Sequence, residues 1–138
     1  MMRADEVSDE TFTSLALDIF QFQFANNLPY QNYCKVIHKD PTKVLHWSDI
    51  PRVSTDSFKA VQYPLTTSPD AQAERTFLTS GTTSDVKGRH IFPTLELYEK
   101  AALTTWKKLK LTSPHTAVFL TPSPEDSPTS SLLSLIHI

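Results

Sequence analysis

Glycine is almost absent from this chain. Ordinary usage would give a protein of this length about ten, yet the 138 residues contain two, Gly81 and Gly88. The other absences narrow the possibilities further. With one cysteine, Cys34, no internal disulfide can form, and a cytoplasmic location is the default expectation. No apolar run approaches the roughly 20 residues that span a bilayer, so no membrane span is expected. The net charge is −2 and no Lys/Arg run exceeds two residues, so the electrostatic footprint of a nucleic-acid binder is missing. The segment from Met1 to Glu10 is acidic and has no apolar stretch, unlike a secretory signal. The histidines (His38, His46, His90, His115, His137) show no ligand-like spacing, and no metal site is expected.

What remains is an ordinary globular composition, 39% hydrophobic and 20% charged, made loop-rich by ten prolines. The length suits one domain. Ser8 is a good helix N-cap, with Asp9 and Glu10 in the first turn. Phe12, Leu15, Ala16, Ile19, Phe20 and Gln23 follow at helical spacing, which predicts a helix over Asp9–Asn26. Phe22 and Phe24 lie off that stripe and suggest cover on more than one side. Tyr30, Tyr33 and Cys34 could extend as a short helix, with Cys34 as a small buried hydrophobe. Residues 47–59 look like an irregular segment of short turns. Trp47 and Trp106 read as core anchors.

Regular structure resumes at Arg75-Thr76-Phe77-Leu78-Thr79, a β-prone run, and Arg89-His90-Ile91-Phe92 forms its hairpin partner. A helix beginning at Pro93-Thr94 carries Leu97, Tyr98, Ala101, Ala102, Thr105, Trp106 and Leu109 on one stripe, and Thr116–Thr121 is a short apolar strand. The order helix, strand, loop, strand, helix, strand predicts an α/β protein with an incomplete sheet.

Both glycines fall in the loop of that hairpin, Thr79-Ser80-Gly81-Thr82-Thr83-Ser84-Asp85-Val86-Lys87-Gly88. Glycine allows positive φ or close approach of a ligand. The surrounding hydroxyls, backbone N–H groups, Lys87 and Arg89 suit a polyphosphate. A Walker A loop is excluded, because Lys87 precedes its glycine instead of following it. The plain alternative is a Ser/Thr-rich turn that binds nothing.

The loop resembles the phosphate loop of adenylate-forming enzymes, Ser/Thr-Ser/Thr-Gly-Ser/Thr-Thr-Gly-x-Pro-Lys-Gly. Thr79, Ser80, Gly81, Thr82, Thr83, Lys87 and Gly88 match, while Ser84 stands in place of a glycine and Val86 in place of the proline. Further blocks, Leu15–Phe24 with Asn26-Asn27, Tyr30–Cys34, Trp47–Pro51, Phe58-Lys59, Leu95–Glu99, Pro122–Asp126 and Ser130–Leu132, are similar to the acyl-protein synthetase family. That family includes the synthetase component of the bacterial bioluminescence fatty-acid reductase. The resemblance runs from about Phe12 to Leu132 and implies the N-terminal part of an adenylate-forming large domain.

It also implies an acid–thiol ligase that uses ATP and Mg²⁺ to activate a carboxylate, such as a fatty acid, and passes the acyl group to a protein thiol. Thr79, Ser80, Gly81, Thr82, Thr83, Ser84, Lys87 and Gly88 would bind the phosphates. Lys87, Arg89 and His90 are the candidates for a catalytic role, and an acyl-accepting or reductase protein is the implied partner. Leu133–Ile138 (LSLIHI) reads as a translated transposase sequencing adapter, so residues 1–132 are expected to be an inactive N-terminal fragment. A genuine C-terminal strand is the alternative, and with it a stand-alone nucleotide- or anion-binding module without catalysis.

Overall fold

Helix α1 (Asp9–Asn26) begins where its cap chemistry dictates. Ser8 is extended, and its hydroxyl accepts the Thr11 amide at 3.1 Å, with Asp9 and Glu10 at the positive end of the helix dipole. The computed structural model describes residues 7–60, 62–68, 72–79, 86–109 and 120–136. The chain divides into two units, Met1–Thr67 and Ser68–Ile138, each taken by itself below.

In the first unit, Asn27 closes α1 and opens α2 (Leu28–Val36). Its amide donates to the Gln23 carbonyl at 2.9 Å, and its Oδ1 accepts from Tyr30 N at 3.3 Å. Pro29 sits in the first turn of α2, where an absent N–H has no helical partner to lose. Helix α2 ends in a Schellman turn, with His38 N donating to Lys35 O at 3.1 Å and Lys39 N to Cys34 O at 2.9 Å. His38 occupies the left-handed position of that turn at φ 57°. Glycine usually holds this place, so positive φ in this chain is not reserved for the 79–90 stretch.

The core of this unit is Phe20, Tyr30, Cys34 and Val44, with Leu17, Phe24, Ile50, Val53 and Leu65 packed around it. Phe20 meets Phe24 and Tyr30 edge-on at 6.1 Å. This corrects the expected stripe of α1. The buried line runs through Leu17, Phe20 and Phe24, while Phe12, Leu15, Ile19 and Phe22 are exposed. Phe20 is 3% exposed and its neighbour Ile19 is 53% exposed.

The segment after α2 is irregular, as expected, and is held by side chains. Tyr30 and Tyr33, one helical turn apart, donate to consecutive carbonyls, Pro51 O at 2.8 Å and Arg52 O at 3.1 Å. Two 3₁₀ turns, Trp47–Asp49 and Thr55–Lys59, follow this path. Asp9 fastens the first turn to α1, accepting from Trp47 Nε1 at 2.9 Å and lying 3.0 Å from His46 Nε2. Those two hydrogen bonds, His46 first, hold the Asp9 carboxyl below the usual carboxylate range. Trp47 also stacks edge-on with Phe12 at 5.4 Å. It remains 36% exposed, and Trp106 46%, so both lie at the surface and are not the expected core anchors.

In the second unit, β1 (Arg75–Leu78) and β2 (Arg89–Phe92) form an antiparallel hairpin with Leu78 opposite Arg89 and Arg75 opposite Phe92. Helix α3 (Glu96–Lys108) lies on it, with Tyr98 within 5.6 Å of the Phe77 ring and 5.4 Å of the Phe92 ring. Its start is set by Glu74, which accepts the Leu95 amide at 2.9 Å, and by Thr94, which accepts the Glu96 amide at 3.2 Å. The predicted stripe of α3 is only partly right. Tyr98 and Ala102 are half-buried, but Leu97, Trp106 and Leu109 are exposed.

Of the predicted strand Thr116–Thr121, residues 116–119 lie outside the described residues, and Leu120 is 97% exposed with no strand pairing. Among the described residues the sheet therefore has two strands, giving a mixed α/β unit. The alternative of a C-terminal strand is corrected: Ser131–Ile136 is helix α4. Ser130 caps it, accepting from Leu133 N at 3.4 Å, and Leu133 is buried.

Candidate functional site

The hairpin loop is closed by a two-way contact between Thr79 and Gly88. Thr79 N donates to Gly88 O at 2.9 Å, and Gly88 N donates to Thr79 Oγ1 at 2.9 Å. A regular antiparallel rung would return the second bond to the Thr79 carbonyl. Here the threonine hydroxyl takes that place, ending the ladder one residue beyond Leu78. Gly88 is buried, which a residue without a side chain allows.

Strand alternation sends the Leu78 N–H the other way. It donates to Thr129 O at 3.1 Å, so the outer edge of β1 is held by the Pro-rich segment that follows residue 120. Sequence reasoning marked Ser130–Leu132 only as a family-like block and missed this bond. An unpaired strand edge beside the loop was the available clue.

The candidate residues separate as follows. Thr79 and Gly88 form the base of the loop, and Lys87 is exposed beside them, with no ion pair to any described residue. Ser80, Gly81, Thr82, Thr83 and Ser84 lie outside the described residues. Arg89 and His90 are both half-buried and successive on β2, so they point to opposite faces of the hairpin. His90 shares the face of Phe77 and Phe92, which carries Tyr98, whereas Arg89 shares the face of Leu78. The strand does not bring these two side chains together on one ligand.

Chemically, the loop base supplies a fixed entry and exit, a buried glycine and an exposed ammonium. These features are compatible with an anion held by backbone N–H groups. The same unit contains a cleft of about 520 Å³ lined by Arg75, Leu95, Glu99, Ser127, Ser130 and Leu133 among others. Arg75 begins the strand whose far end leads into the loop.

Cys34, by contrast, is fully buried, and burial pushes its thiol pKa up. A protonated, shielded thiol is a poor nucleophile. Tyr30 beside it is likewise raised by burial. The chain Ser48–His46–Asp9 has the order of a hydrolase relay, with Ser48 Oγ 2.8 Å from His46 Nδ1. However, Nδ1 also accepts the Ser48 amide at 3.3 Å, which is how a side chain caps its own turn. Among the described residues no group of three His, Cys, Asp or Glu could hold a metal ion, and no helix is long and apolar enough to cross a membrane.

Comparison with known proteins covers the blocks as far as Leu95–Glu99 and does not reach Pro122–Asp126 or Ser130–Leu132. No curated protein and no solved structure matches the chain. The profile of the acyl-protein synthetase family, LuxE, matches residues 2–101, a span that includes α1, α2, the hairpin and the first turn of α3. This chain belongs to the acyl-protein synthetase (LuxE) family.

Proposed function

We propose that the chain carries the phosphate-binding part of an ATP-dependent acid–thiol ligase acting on a fatty acid. In the first step a carboxylate oxygen attacks the α-phosphorus of ATP. The bond from that phosphorus to the bridging oxygen breaks, pyrophosphate leaves, and an acyl-adenylate forms. In the second step a protein thiolate attacks the acyl carbon and AMP departs, leaving a thioester. Membership of the acyl-protein synthetase family carries this reading, and the closed base of the Thr79–Gly88 loop supports it.

The role of the loop follows from the charge that develops on the leaving group. Pyrophosphate departs readily only where preorganised donors and cations meet its charge. Lys87 would supply one positive charge, the loop amides near Gly81 would approach the phosphates, and the hydroxyls of Ser80, Thr82, Thr83 and Ser84 would donate to them. Mg²⁺ would enter with the polyphosphate and add further neutralisation. Arg89 is the stronger of the two remaining catalytic candidates, because His90 lies on the face occupied by aromatic rings.

Cys34 is not the acyl acceptor in this scheme. The accepting thiol belongs to a partner, such as a reductase, or to a part of the synthetase beyond residues 1–132. Without an accepting thiol the second step of this scheme does not proceed. Trapping with hydroxylamine tests the reading: full-length synthetase with ATP, Mg²⁺ and a fatty acid should yield acyl-hydroxamate, and omission of either substrate should abolish it. Hydroxamate formation that does not require ATP would refute an adenylate route.

A further inference from the structure

We infer that Thr79 is a positioning residue, the clasp that sets the span of the loop through the hydrogen bond its hydroxyl oxygen accepts from the Gly88 amide. The inference deepens the nucleotide reading above and rests on it only for what the loop holds. Three observations carry it. Thr79 Oγ1 already accepts the Gly88 amide at 2.9 Å, while Thr79 N donates to Gly88 O at the same distance. Gly88 is buried, so removing that acceptor leaves its N–H unsatisfied and weakens the closed base. Finally, the adjoining Leu78 amide is committed in the opposite direction, to Thr129 O at 3.1 Å.

The base of the loop is thus held from both edges of β1. A hydroxyl oxygen has two lone pairs and one hydrogen. Thr79 gives one lone pair to Gly88, and an anion cannot use the other, because an anion offers acceptors only. The remaining O–H is the single donor Thr79 retains. Its main contribution to phosphate binding is then indirect: it fixes where residues 80–87 begin and end. Serine would preserve this function, and valine would keep the shape and β-branching of threonine while removing the oxygen.

Amide hydrogen exchange at Gly88 in the full-length synthetase tests the clasp without requiring activity. In wild type and T79S the Gly88 amide should be protected, and in T79V its exchange should quicken on the order of tenfold, the scale of one lost hydrogen bond. Pyrophosphate exchange supplies the second readout. T79V should raise the KM for ATP at least several-fold with a smaller change in kcat, and T79S should restore both. Gly88 exchange in T79V equal to wild type would overturn the clasp. A T79V enzyme with lost protection but unchanged KM would overturn its positioning role. If Mg·ATP protects no part of the loop while T79V still frees Gly88, the nucleotide reading fails and the clasp alone survives.

Discussion

Phe20 and Ile19 are adjacent, equally apolar, and opposite in fate. Phe20 is enclosed by Phe24, Tyr30 and the rest of the core, so F20A should cost about 3–5 kcal/mol. I19A removes a side chain already in water and should cost under about 0.5 kcal/mol. Urea unfolding of both variants measures the contrast, and equal losses would place the core on the wrong face of α1. His38 gives a prediction of the other sign. Its left-handed φ is uncomfortable for a residue with a Cβ, so H38G should stabilise the chain by about 0.5–1 kcal/mol in the same assay. Asp40 supplies a pH test. The Thr42 hydroxyl first, and then the Lys43 ammonium, hold its carboxyl at about 2 against the ordinary 3.8. A depressed folded pKa adds stability above the unfolded value and loses it as pH falls through the folded one. The advantage of wild type over D40N should therefore be present at about pH 5 and vanish as pH falls to about 2, a difference readable from thermal midpoints.

At the scale of elements, what could be read from sequence depended on how local the determinant was. The bounds of α1 were legible because Ser8 and Asn27 are local capping groups that act within one turn. S8A should accordingly cost about 1 kcal/mol and fray the first turn, as helical circular dichroism would register. The hairpin was legible for a similar reason: β-prone runs flank the only glycine-bearing stretch. The face of α1 was not, because apolar residues occupy two overlapping stripes. The choice between them was made by Tyr30, Val44 and Leu65, partners distant in sequence that no periodicity locates. Residues 40–60 were opaque for the same reason. Their path follows hydrogen bonds from Tyr30, Tyr33 and Asp9, each reaching 19 or more positions along the chain. Within the site, the glycine and lysine positions could be read directly, but the Thr79 hydroxyl replacing a ladder carbonyl could not. That substitution depends on how the hairpin closes, not on residue type.

For the whole molecule, the central proposal is that the stretch from Thr79 to Gly88 holds the polyphosphate of ATP while a carboxylate is adenylated. Blocks far apart in sequence come together in ways consistent with a shared scaffold. The Tyr30–Cys34 block grips the Trp47–Pro51 block, and the segment near Thr129 holds the strand that enters the loop. Family membership makes an acyl-protein synthetase the starting point, and fold alone would not name the substrate. The most direct measurement is fatty-acid-dependent exchange of labelled pyrophosphate into ATP by the full-length synthetase, wild type and K87A side by side. The account predicts exchange that requires the fatty acid and falls at least tenfold in K87A, because a charge that meets the leaving group is lost. Exchange at the wild-type rate in K87A, or no exchange by the intact enzyme, would contradict it.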